Sequence, residues 1–217
     1  VYVASLVHTL DPEKPRAEAL AVSGGKLLAV GSREDVMRSA GAGAEVIELS
    51  GVVVPGLTDA HAHLESLGSS LSMMDLRGTR SLAEVYERLK RPPASAFRGD
   101  WLEGRSWDQN DWPEKERVFP DRRALDQLFP STPVLLSRVD GHAVWVNGEA
   151  LRLAGITART PDPEGGRILR DEKGEPTGVL VDNAADLVQA KLPRLTDEQR
   201  AARLRAALAR CAQAGLT

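Results

Sequence analysis

The chain has 217 residues, 42% of them hydrophobic and 27% charged, with 28 basic against 31 acidic side chains. That is ordinary globular composition, enough for one large domain or two small ones, and a net charge of -3 argues against a nucleic-acid footprint or a polybasic membrane surface. No apolar run approaches the ~20 residues of a membrane span, and the lone Cys211 cannot close an internal disulfide, which makes a reducing cytoplasm the default expectation.

Residues 19–23 and 26–30 flank Gly24-Gly25, a two-residue hairpin signal. Residues 46–49 predict a short strand that Gly51 punctuates, and 52–54 a further apolar strand broken by Pro55-Gly56. Ser81 with Glu84 is a capping box and predicts a helix to about Lys90, stopped by Pro92-Pro93. Residues 98–112 hold Trp101, Trp107 and Trp112 among Gly, Asp and Asn, and read as loop-rich. A short helix over 122–128 and a strand over 134–139 follow, then a helix from Asn147 as N-cap through Ala154 with Gly155 at its end. Residues 167–170 and 177–181 read as two strands joined by a polar turn. The last helix opens on a second capping box, Thr196 with Gln199, and carries Ala201, Leu204, Leu208 and Cys211 on one stripe. Its Arg200, Arg203, Arg205 and Arg210 read as a solvated face. The chain opens on Val1 and stops at Thr217, just where a strand should begin, so it is expected to be a piece of a longer protein.

The sharpest feature is Pro55-Gly56-Leu57-Thr58-Asp59-Ala60-His61-Ala62-His63. Residues two apart on a strand share a face, so His61 and His63 are expected to present two imidazoles side by side. Neutral imidazole is a common ligand for zinc and similar ions, and catalytic sites use about three protein ligands with one open position. With four histidines in the chain, a chance His-x-His arises only about 0.07 times per sequence of this length. The alternative is a pair of half-buried histidines satisfied by carbonyls. Asp59 shares the face in an extended strand and would orient a ligand histidine from behind.

Residues 51–63 resemble the first barrel strand of the amidohydrolase superfamily. Further along, Asp75-Leu76-Arg77-Gly78, Gly104-Arg105-Ser106-Trp107-Asp108-Gln109, Arg138-Val139-Asp140-Gly141-His142-Ala143 and Thr177-Gly178-Val179-Leu180 resemble its family 3 branch. The first fifty residues are similar to that superfamily's small β-sandwich. The resemblance implies an α/β fold: part of a (β/α)8 TIM-like metallo-hydrolase barrel, with a small N-terminal β-sandwich piece and an inserted α+β lobe. The boundaries expected are a sandwich portion over 1–54, the first barrel strand over 55–70, the lobe over the barrel mouth across 71–182, and a barrel helix over 183–217.

The same resemblance implies a metal-dependent hydrolase, in which water activated by one or two divalent ions, zinc by expectation, attacks a carbon-nitrogen bond of a small non-peptide amide. His61 and His63 would be metal ligands. Asp182 would be a third, bridging ligand, or else the N-cap of a helix beginning near Asn183. His142 would line the substrate site, or be a loop histidine fixed by Asp140. Asp140, Trp107 and Asp108 are the other candidates for substrate contact, with the tryptophans alternatively packing a satellite core. No histidine follows His142, so the family's remaining ligands and its general-base Asp are expected beyond Thr217. The expected partner is a small molecule, with no nucleic acid, no membrane and a homodimer left open. The competing reading is a catalytically incomplete fragment or a non-enzymatic binding protein on the same fold.

Overall fold

The computed structural model describes residues 1–217. They form two compact units, Val1–His61 with Cys211–Thr217, and Ala62–Arg210.

The first unit contains β1 (Tyr2–His8), β2 (Arg16–Ser23), β3 (Lys26–Gly31), α1 (Arg33–Ala40) and β4 (Ile47–Val53). Its sheet runs β3-β2-β1-β4, antiparallel except for the parallel β1–β4 pair. The predicted hairpin is there, with Ser23 opposite Lys26 across the glycine pair. The two strands expected around Gly51 are one, β4. A bulge absorbs the glycine: Ala4 pairs with Leu49 but Leu6 with Val52, and Gly51 sits at φ 146°. Helix α1 was not expected, although Ser32 accepts from the Asp35 N–H as an ordinary N-cap. Its one buried residue, Val36, joins Val3, Ala19 and Ala21 in a small core. This unit contains a single four-stranded sheet.

The second unit is larger. It contains α2 (Leu64–Ser72), β5 (Met74–Asp75), α3 (Leu82–Leu89), β6 (Phe97–Arg98), β7 (Trp101–Trp107), α4 (Arg123–Leu128), β8 (Val134–Arg138) and β9 (Ala143–Val146). Then come α5 (Gly148–Ala154), β10 (Gly166–Arg170), β11 (Pro176–Asp182), α6 (Asp186–Gln189) and most of α7 (Asp197–Gln213). One mixed sheet is ordered β10-β11-β9-β8-β7-β5, with β6 also on β7. Strands β5, β7 and β8 are mutually parallel, and β9 runs against both β8 and β11. Four carboxyl ends, those of β5, β7, β8 and β11, therefore lie at one end of the sheet.

The segment read as loop-rich is instead β7, flanked by β5 and β8. Trp101, Leu102, Glu103 and Gly104 are all buried, so the strand is covered on both faces and shows no polar alternation. Trp107 and Trp145 meet edge to face at 6.0 Å, and Trp107 stacks on Trp112 at 6.3 Å, in the centre of the main core. Helix α7 has the predicted capping box: the Gln199 N–H donates to Thr196 Oγ1 and Gln199 Oε1 accepts from the Thr196 N–H. Its buried face is not the stripe that the sequence predicts. Leu204 and Leu208 are exposed, whereas Ala207 is buried and Arg203 reaches inward to Ser69 and Glu103. Gly68 permits this contact, because a Cβ there would collide with the Arg203 carbonyl. No helix is long and apolar enough to cross a membrane.

Asn147 caps α5 and does more. Its Oδ1 accepts from Ala150 N–H (3.1 Å) and Val134 N–H (3.0 Å), while Nδ2 donates to the carbonyls of Phe129 and Thr132 (both 2.9 Å). All four hydrogen bonds of a fully buried amide are made. Asn147→Ala orphans two buried N–H groups at about 1–3 kcal/mol each. A loss of at least about 2 kcal/mol is expected, seen as a lower urea midpoint at unchanged m value.

Candidate functional site

The His-x-His segment is not a strand. Leu57 makes a single parallel bridge with Leu216: its N–H donates to Gly215 (2.7 Å), and its carbonyl accepts from Thr217 (3.0 Å). The chain then leaves extended pairing, and residues 58–63 belong to no strand. His63 occupies the N-cap position of α2 at φ -109°, ψ 72°, and its carbonyl accepts from Leu67 N–H (3.0 Å). The expectation that His61 and His63 lie on a strand is thus overturned, because the Asp59 carboxylate closes a turn. Asp59 Oδ1 accepts from the backbone N–H of His61 at 3.0 Å, a local turn that competes with extended pairing.

The chemistry of the donors suits a divalent ion, but their number does not. Nowhere in the chain do three or more His, Cys, Asp or Glu side chains come together as a metal-holding group. These residues do not complete a metal centre.

A second constellation lies at the carboxyl end of the large sheet. Strand β7 carries a bulge at Ser106, which adopts φ 65° so that Trp107 pairs with Arg138. The Trp107 carbonyl accepts from Val139 N–H (3.0 Å), and its indole donates to the Leu136 carbonyl (2.8 Å). Trp107 is wholly buried; the structure gives it the core role among the two that the sequence left open. Asp108, just beyond, caps a short turn through Asn110 N–H (3.0 Å) and faces Arg138 Nη2 at 3.4 Å.

Arg138 is the residue that sequence reasoning passed over. Its guanidinium donates to Gln109 Oε1 (3.0 Å), to Asp108 and to Asp140, and lies 5.8 Å from the Phe119 ring centroid. This fork ties the ends of β7 and β8 together. Asp140 is therefore engaged by Arg138 and by the backbone N–H of His142 (3.1 Å). It does not hold the imidazole, contrary to the loop reading.

That role falls to Asp182. Its Oδ1 lies 2.9 Å from His142 Nδ1, and its N–H donates to the His142 carbonyl at 2.8 Å. Asp182 ends β11 in the left-handed region, at φ 48°. The N-cap alternative is also overturned, since α6 begins four residues later and its N-cap residue is Ala185. The His142 side chain remains 73% exposed. The arrangement can hold a pre-oriented imidazole next to an Arg-bound pair of carboxylates, the kind of polar rim that fixes a small ligand.

With this geometry in view, the comparisons with known proteins are specific. Residues 45–217 match the model of the amidohydrolase family. The chain is 36% identical over 219 residues to the Bacillus subtilis (strain 168) protein YtcJ, which is named an amidohydrolase, covering 100% of this chain and 41% of that protein. It is 37% identical over 187 residues to an N-substituted formamide deformylase of Arthrobacter pascens, covering 85% of this chain and 34% of that one. The fold is similar to the crystal structure of an uncharacterized metal-dependent hydrolase from Pyrococcus horikoshii OT3, at TM-score 0.68 and 26% identity, over 100% of this chain and 41% of that one. The chain thus spans about two fifths or less of the length of these proteins.

The incomplete donor set yields a direct expectation. The 217-residue chain, loaded with zinc and dialysed against a mild chelator, should retain well under one ion per molecule by elemental analysis. Stoichiometric retention would mean that donors besides His61 and His63 assemble within this chain.

Proposed function

The chain belongs to the amidohydrolase family, and from that premise we propose that the whole protein is a metal-dependent hydrolase of carbon-nitrogen bonds in small amides. Small N-substituted formamides are the first probes, because one relative is named for acting on them. His61 and His63 are two of the metal ligands in this reading, zinc is the ion, and the remaining ligands and the general-base Asp come from outside this chain. The ion, when bound, supplies a water activated near neutral pH. His142, Asp140 and Asp108 face the substrate.

The observation that carries the reading is the Asp59-x-His61-x-His63 run placed directly after the parallel Leu57–Leu216 bridge. Two chain segments far apart in sequence start to pair in parallel there, separated by helices, as in a βα crossover. This supports a (β/α)8 barrel whose first strand ends on the histidine pair. Functional residues at the carboxyl ends of strands fit that architecture. The single sheet of the first unit would be one half of a sandwich completed by strands outside the chain.

In the full-length protein, His61→Ala and His63→Ala should each lower bound metal and cut amide hydrolysis by about a hundredfold or more. His142→Ala should lower turnover at unchanged metal content. Normal metal content in both His61→Ala and His63→Ala would overturn the ligand assignment. If no small amide is turned over at any metal loading, the hydrolase reading falls.

A further inference from the structure

We propose that Asp182 is a positioning residue, which holds the His142 imidazole in one orientation and one tautomer for the substrate, and that its carboxylate is not a metal ligand. The proposal rests on the reading that His142 faces substrate, and it assigns Asp182 a role that reading leaves open.

Two contacts between the same residues carry the inference. The backbone bond from Asp182 N–H to the His142 carbonyl (2.8 Å) extends the β9–β11 ladder by one step past the Val181–Ala143 pair. That bond fixes the two residues opposite one another. The second contact, Asp182 Oδ1 to His142 Nδ1 at 2.9 Å, then fixes the ring. A carboxylate only accepts, so in the neutral ring Nδ1 carries the hydrogen and Nε2 is left with its lone pair. An imidazole in this state can accept a hydrogen bond, or a proton, from a substrate N–H or water.

The backbone at Asp182 shows that this placement is constrained. A non-glycine residue at φ 48° is uncommon and costs free energy unless its surroundings demand it. Two neighbours fix it in place. Ala185 N–H donates to the Asp182 carbonyl (2.9 Å), and Asn183 Nδ2 donates to the Glu164 carbonyl (2.8 Å). No other carboxylate takes the ring, since Asp140 is engaged by Arg138 and by the His142 backbone. Exposed pairs of this kind contribute little stability, so the contact is better understood as an orientation device than as a brace.

The test uses the full-length protein carrying ¹⁵N-labelled histidine. Asp182→Gly removes the carboxylate and accepts the left-handed backbone without strain, while Asp182→Asn keeps an acceptor oxygen for Nδ1–H. At about pH 8.5, where an ordinary imidazole is neutral, the parent should show the His142 signal as the Nδ1–H form. Asp182→Gly should move it toward Nε2–H, and Asp182→Asn should restore it. Turnover should fall about tenfold or more in Asp182→Gly, at unchanged bound metal, and His142→Ala/Asp182→Gly should be no worse than His142→Ala alone. An unmoved tautomer, a fall in bound metal, or additive losses in the double variant would each overturn the proposal. The tautomer is read without turnover, so it decides the positioning role even if the protein hydrolyses no amide.

Discussion

The buried amide of Asn147 is the constraint on which the larger unit turns. It closes the start of α5 and the start of β8, and it binds the loop between α4 and β8 through two carbonyls. Because Asn147 directly follows β9, this one side chain ties together both strands of the β8–β9 hairpin at its open end. The hairpin can then close only at its other end, through Gly141 at φ 78°. That closure sets His142 at the first position before β9, opposite Asp182. A cap usually worth about 1 kcal/mol here also fixes a strand register, and the register places the His142 side chain.

The carboxyl end of the sheet owes its form to a second constraint. The Ser106 bulge rotates β7 so that Trp107 enters the core while Asp108 continues toward Arg138. Bulges re-aim side chains at the rims of sheets. The fixed fork of the guanidinium then converts two strand ends into one rigid edge. Substrate recognition, on the proposed function, would rest on groups whose positions are set by strand pairing and not by loop conformation.

Much of this was legible in the sequence, and the failures share a cause. Caps and tight turns are local, so Ser81, Asn147, Gly155, Thr196 and the Gly24-Gly25 hairpin are all where the pattern put them. Strands β7 and β9 were missed because they are covered on both faces and carry no alternation. The burial of α7 was misread because its contact face is set by Gly68, a residue more than 130 positions away that admits a backbone carbonyl. Leu204 and Leu208 form a stripe in the sequence, but local pattern cannot say which face another helix approaches. The His142–Asp182 pair spans forty residues and depends on register, so no spacing rule could find it.

The two histidine motifs share a more instructive feature. In both Asp59-Ala60-His61 and Asp140-Gly141-His142 the aspartate lies two residues ahead of a histidine, and the sequence invites the reading that it orients the ring. In both, the carboxylate takes the backbone N–H of the histidine, at 3.0 and 3.1 Å, and at His142 the ring is held by Asp182. The same turn recurs at Asp11, Asp75, Asp108, Asp121 and Asp171, each accepting from the N–H two residues on. The reason is reach: an Asp carboxylate meets the i+2 amide with little loss of side-chain freedom, whereas the imidazole two positions away needs the chain extended and the rings aligned. Asp-x-His is therefore first a turn, which sets the direction of the backbone just ahead of the histidine. For His142 the ring-orienting carboxylate comes from another strand, as Asp182.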